Sequence, residues 1–322
     1  MTDIDILLMQ CYNSKKDGDC MNNVIKKSSE NNMSLKMKQH LPISAITAKI
    51  NGNNHLISVV SDKNFHRYVV VSDEKGNVIK TILDTEDDSV KVARDQTNFY
   101  VVCSTHNHSK LYKFSLDDLS LQETREFPYT DMGGVSINND TIYLFEAKEG
   151  HIYELKKDLS THNKIDINEY HGGNYGHSFN YIEATNDGFI SIGMPMNEED
   201  FNEMKAFLFY KFGRKIADGN DFIKSVAYDK KNNIAYISFQ NFIIIIDNQK
   251  IDSILHFKKD TIVSINYDDI DTDSLIICFA DSKPLTGNVK VINKKTIDTL
   301  KIPVKYKKNK ETKINSKRRL LK

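Results

Sequence analysis

Between Ser89 and Phe127 the chain reads SVKVARDQTNFYVVCSTHNHSKLYKFSLDDLSLQETREF. Four candidate strands, Val90–Ala93, Phe99–Ser104, Leu111–Leu116 and Leu121–Phe127, are separated by short polar turns. Alternating or continuous apolar runs of this length, bounded by Asp, Asn, Ser and Thr, are strand signals rather than helix signals. The phrase recurs. Val135-Ser-Ile to Ile167 and Val226-Ala-Tyr to Phe257 repeat the same strand–turn–strand order. Marking the central apolar residue of each second strand gives Ile57, Tyr100, Tyr143, Ile190, Tyr236 and Ile276, at spacings of 43, 43, 47, 46 and 40 residues. A repeat of roughly 43 residues is the period of a β-propeller blade.

A lone four-stranded unit leaves both faces wet, whereas radial stacking buries them and leaves only short edges. The expected fold is therefore an all-β propeller. Six copies fit between Ile46 and Pro303, so six blades of four antiparallel strands are expected. The alternative is seven, with residues near Leu35–Ile43 supplying strand material at the closure. The expected organisation is a flexible leader over 1–32, the propeller over 33–304 and a basic, disordered tail over 305–322. The one helical turn read from the pattern is Asn197 to Met204, inside a loop insertion.

The segment Arg67-Tyr-Val-Val-Val-Ser-Asp-Glu-Lys-Gly-Asn-Val-Ile-Lys-Thr-Ile resembles the third-to-fourth-strand hairpin of YVTN-type propeller repeats. Phe242-Ile-Ile-Ile-Ile-Asp-Asn-Gln-Lys-Ile-Asp-Ser-Ile and Val289-Lys-Val-Ile-Asn-Lys-Lys-Thr-Ile-Asp-Thr-Leu are similar to it. The resemblance, to YVTN-type or NHL-like bacterial propellers, covers about 260 residues at the level of blade pattern. It implies the fold and leaves function open, since that group spans binding proteins, scaffolds and a few enzymes. The literal YVTN word is absent. Trp is absent as well, so the Trp-Asp ending of WD40 blades is missing and that family is disfavoured.

Net charge is zero but unevenly placed. Lys305–Lys322 holds nine Lys/Arg against Glu311 alone, a balance of +8 that leaves −8 for the rest of the chain. Such a tail either contacts an anionic surface (membrane, wall polymer or nucleic acid) or is simply solvated. Cys103 and Cys278 fall on second strands of different blades and read as buried apolar residues. Cys11 and Cys20 lie in the polar leader, and no Cys-x-x-Cys occurs. No stretch is long and apolar enough to span a membrane. As it stands the chain reads as a cytoplasmic monomer. Leu7-Leu-Met-Gln-Cys11 resembles the end of a lipoprotein signal, although Gln10 replaces the expected small residue. With residues missing upstream, the protein would be an extracytoplasmic lipoprotein anchored at Cys11.

In a propeller with strands a to d in each blade, the b–c and d–a loops emerge on one face and the a–b and c–d loops on the other. The c–d turns here are short and generic. Unusual residues concentrate on the b–c and d–a side: Thr105-His-Asn-His, Pro128-Tyr-Thr-Asp-Met-Gly-Gly, Glu146-Ala-Lys-Glu-Gly-His, Glu169-Tyr-His-Gly-Gly-Asn-Tyr-Gly-His and the Met194–Met204 loop. The candidate ligand-binding residues are His106, His108, Tyr129, Asp131, Glu149, Tyr170, His171, Tyr175 and His177. Loop-lined mouths are where ligands usually sit. His106, His108, His171 and His177 are also candidate ligands of a divalent metal, with Glu146 or Glu149 as oxygen donor, because imidazole and carboxylate suit zinc and its neighbours. No cofactor is required by the pattern. Gly-x-Ser-x-Gly, P-loop and Gly-x-Gly-x-x-Gly motifs are absent. The remaining acidic residues are read as solvent-facing turn residues. The leading expectation is a non-enzymatic module binding a protein, peptide or glycan through blades two to four. The alternative is a metal-dependent hydrolase or lyase in the same mouth.

Overall fold

The computed structural model describes residues 34–37, 40–166 apart from 106 and 148, 181–193 apart from 187, 206–210, 214–219, and 223–304 apart from 248–249, 258–259 and 282–285. The expected helical turn at 197–204, the leader and the basic tail lie outside the described residues. No described helix is long and apolar enough to cross a membrane.

The chain is an all-β propeller. Five of its sheets are runs of four consecutive antiparallel strands. Blade one comprises Leu41–Ile50, Asn53–Ser61, Arg67–Ser72 and Val78–Thr85. Blade two comprises Ser89–Arg94, Asn98–Thr105, His108–Ser115 and Leu121–Pro128. Blade three comprises Met132–Asn138, Thr141–Glu146, His151–Leu155 and Thr161–Asp166. Blade four comprises Tyr181–Thr185, Gly188–Gly193, Ala206–Tyr210 and Arg214–Gly219. Blade five comprises Ser225–Asp229, Ile234–Ser238, Phe242–Asp247 and Lys250–His256, with Ile302–Pro303 added outside the last.

The closing sheet is of mixed origin. Thr261–Asp268, Ser274–Ala280 and Gly287–Asn293 supply three strands, and the N-terminal strand Ser34–Met37 supplies the fourth, in the register Ser34 opposite Lys290 and Met37 opposite Gly287. Each first strand packs on the first strands of its two neighbours, and that of the closing sheet packs on that of blade one. The six residues marked in the sequence all fall on the second strand of a sheet, and five of them are essentially inaccessible.

Two expectations are corrected. Among the described residues five blades, not six, are complete copies of the repeat, and the closing sheet borrows its edge strand. Nor is there a seventh sheet among the described residues, because the stretch near Leu35–Ile43 is divided between the closing sheet and the first strand of blade one. Second, Val289–Leu300 is not a strand hairpin. Its strand ends at Asn293, whose side chain accepts a hydrogen bond from Thr296 N at 2.9 Å and caps the helix Lys294–Leu300. The edge position is already filled by Ser34–Met37, so the chain is free to coil. Ile297 and Leu300 are then buried in the cluster that also holds Leu275, Ile277 and Tyr236. Cys103 and Cys278 are free and buried, as read.

Candidate functional site

Hydrogen bonds show that the b–c and d–a loops emerge together. Tyr129 N, before blade three, donates to Asn107 O in the b–c turn of blade two at 2.8 Å. Ala147 N, in the b–c turn of blade three, donates to Asp131 O at 2.7 Å. Beneath them lies a buried polar knot. Ser104 Oγ and Ser109 Oγ are 2.7 Å apart, Met132 N donates to both at 3.0 Å, and Ser109 Oγ lies 3.0 Å from Thr130 O. Ser104 Oγ also lies 2.9 Å from Asp131 Oδ1. Asp131 is thereby held through Oδ1 as a brace between two blades.

Of the candidate residues, His108, Tyr129, Asp131 and Glu149 are described. His106, Tyr170, His171, Tyr175 and His177 lie outside the described residues. His108 opens the third strand of blade two, whereas Glu149 sits in the b–c turn of blade three beside Glu146 and His151. Tyr129 is 84% exposed, with φ of 62°. The sequence reading missed its counterpart. Phe65, in the b–c loop of blade one, is 73% exposed with φ of 67°. Its loop is wound around Asp62, whose Oδ1 accepts from Asn64 N at 2.8 Å and His66 N at 3.0 Å. The turn signal Asp62-Lys-Asn sits in the same phase as Thr105-His-Asn and would have identified it.

The opposite face holds a second feature that the sequence did not reveal. A cavity of about 560 Å³ opens among the a–b turns, lined in part by Thr97, Asn138, Asp140, Lys157, Lys230 and Asp269. A smaller cavity of about 40 Å³ adjoins it, sharing Arg94, Lys230 and Asp269 and lined also by Thr47, Ser136, Glu183 and Asp268. The acidic groups here are not the solvated turn residues expected. Asp268 and Asp229 are buried, because each ends a first strand and turns back into the ring. Asp229 takes Asn232 N at 3.0 Å and Lys294 Nζ at 3.1 Å. Asp268 takes Thr47 Oγ1 and Arg94 at 2.6 Å each, and Thr272 N at 3.0 Å. Burial works to raise its pKa, but Arg94 and the hydroxyls of Thr47 and Thr272 outweigh it and hold the carboxyl below the usual range.

Glu183 shows the reverse balance. Desolvation inside the channel dominates over attraction from Lys230, and Asp269 adds repulsion, so its pKa is pushed up to about 7. The Lys230 ammonium donates to Ile137 O, Asn186 Nδ2 donates to Lys230 O at 2.7 Å, and Asn138 Nδ2 donates to Thr185 O at 2.8 Å. These bonds stitch the turns of blades three, four and five together, so much of the polar lining is spent on the ring itself.

No family model matches the chain, and no curated protein matches it in sequence. Solved structures do. The structure of U3-55K covers 82% of this chain and 99% of its own, with 7% identity and a TM-score of 0.53. The crystal structure of the RRP9 WD40 repeats covers 82% and 98%, with 8% identity and a TM-score of 0.53. Identities this low show the fold alone. These neighbours are WD40 β-propellers, and the likeness extends to the propeller fold although this chain lacks the Trp-Asp dipeptide. Blade geometry rests on strand spacing and apolar phase, which this chain keeps without that dipeptide. A YVTN-type origin gains no separate support from these neighbours.

Proposed function

We propose that the chain is a non-catalytic interaction module that recognises a protein or peptide through its b–c/d–a face, with Phe65 and Tyr129 as apolar anchors. The observation that carries this reading is the placement of two exposed aromatic side chains on that face at positive φ. Bulky residues in the left-handed region are strained and expose area to water with no return in the free chain. Aromatic anchors are where interfaces concentrate their binding energy. WD40-like propellers offer such loop faces on a rigid ring.

The test is to pan a phage-displayed random peptide library on the protein and measure the selected peptides against variants. Phe65→Ala and Tyr129→Ala should weaken binding at least about tenfold, the scale of one lost anchor. Asp73→Ala, Asp117→Ala and Asp247→Ala, on the other face, should leave it unchanged. Equal effects from the two sets would overturn the assignment, and selection of no peptide alongside retention on a glycan array would shift the ligand class. The alternative reading, a metal-dependent hydrolase or lyase, rests on the loop histidines and is separated by the histidine substitutions described next.

A further inference from the structure

The b–c hairpin of blade three places three metal-ligating side chains around one point. Glu146 ends the second strand, His151 begins the third, and the two stand opposite each other in register. Gly150, at φ of 74°, lets the turn curl so that Glu149 folds back over the pair. His151 Nδ1 lies 3.5 Å from Glu146 Oε2 and 3.4 Å from Glu149 Oε2, and one ligand atom from each residue falls within 4.8 Å of the others. Two atoms bound at about 2.0–2.1 Å to a tetrahedral zinc stand about 3.4 Å apart. The hairpin therefore already spaces its donors as a shared ion would.

Two observations oppose a plain ion pair. His151 Nδ1 is shielded from solvent yet makes no hydrogen bond, although two carboxylate oxygens stand just beyond bonding range. Glu146, with its side chain only 3% exposed, has its carboxylate oriented by Glu149 N, which donates to Oε2 at 2.9 Å. A shielded imidazole nitrogen that makes no hydrogen bond is unfavourable without a partner. A backbone donor that fixes a ligating carboxylate is what supports a metal from behind.

We infer that Glu146, Glu149 and His151 form a site for a first-row divalent transition ion, with Zn2+ as its representative. One imidazole nitrogen and two carboxylate oxygens suit such an ion better than Ca2+ or Mg2+, which take oxygen alone. Three protein ligands leave a fourth position open to water, the pattern of an exchangeable site. This site is distinct from the four-histidine set expected from the sequence. It stands or falls independently of peptide binding.

The test is isothermal titration of the full chain with Zn2+ alone, with thermal unfolding in parallel. Wild type should bind one equivalent and unfold at a higher temperature with zinc than without. His151→Ala and Glu149→Gln should each weaken binding at least tenfold. Glu149 is 64% exposed, so its variant should fold even if that of His151 does not. The quadruple His106→Ala, His108→Ala, His171→Ala, His177→Ala variant should bind as wild type does, and Mg2+ and Ca2+ should not compete at tenfold excess. Tetrahedral Co2+ absorption that disappears in Glu149→Gln would support the same site. Absence of zinc binding, binding unchanged in Glu149→Gln, or binding lost only in the quadruple variant would overturn it.

Discussion

The Arg94 guanidinium lies 2.6 Å from Asp268 Oδ1, joining the end of the first strand of blade two to that of the closing sheet. Blade one lies between them and contributes Thr47, whose hydroxyl donates to Asp268 Oδ2 at 2.6 Å. Asp271 adds a second carboxylate 2.8 Å from Arg94. The seam between the closing sheet and blade one is therefore clamped by side chains from three consecutive sheets.

Removing the cation should open that clamp. Arg94→Ala leaves Asp268 buried with no countercharge, a loss of about 3–5 kcal/mol. Arg94→Lys keeps the charge but not the fork, and should fall between. Urea unfolding midpoints measure both. A loss under about 1 kcal/mol for Arg94→Ala would show that the channel tolerates the open charge.

Glu183 and Asp268 should give opposite pH dependences. Asp268 has a lowered folded pKa, so its contribution is present above the unfolded value of about 4 and is lost as pH falls through the folded value. Glu183 has a raised one. The folded state holds its proton more tightly, so stability declines as pH rises from about 4.5 to about 7 and stays lower above that. The decline is on the order of 3 kcal/mol. Glu183→Gln should abolish it while leaving the acid limb intact, as read from denaturation midpoints between pH 4 and pH 8.

The helix Lys294–Leu300 should be part of the core rather than an appendage. Asn293→Ala removes its cap and should cost about 1 kcal/mol. Ile297→Ala opens a cavity in the buried cluster that holds Leu275 and Tyr236 and should cost about 2–4 kcal/mol. Equal, near-zero effects in thermal unfolding would place the helix outside the cooperative unit.

The ends should separate sharply. Deleting 1–32 together with 306–322 should leave the unfolding midpoint nearly unchanged. Extending the N-terminal deletion through Met37 removes the edge strand paired with Lys290 to Gly287 and should lower it by about 5 °C or more. An unchanged midpoint for the longer deletion would mean that the ring closes without that strand.

The sequence by itself determined the propeller class and the blade spacing, but not the number of blades. Ile57, Tyr100, Tyr143, Ile190, Tyr236 and Ile276 mark second strands at blade spacing, because an apolar residue at a fixed phase is needed wherever one blade packs on the next. It also put the b–c and d–a loops on one face, since strand count alone sets that parity. Tertiary structure decided the rest. Ser34–Met37 closing the last sheet is a pairing across more than 250 residues: the sequence offers strand material near Leu35–Ile43 at the closure, but names neither the partner strand nor the register. The helix after Asn293 follows from that pairing, because a filled edge frees the next segment to coil. Arg94, Asp268 and Glu183 read as solvated charges one at a time. Only the ring brings them to one cavity, where burial and near neighbours make one carboxyl more acidic and the other less so. Likewise, nothing in the spacing of Glu146, Glu149 and His151 fixes a common centre. The hairpin register and the left-handed turn at Gly150 do.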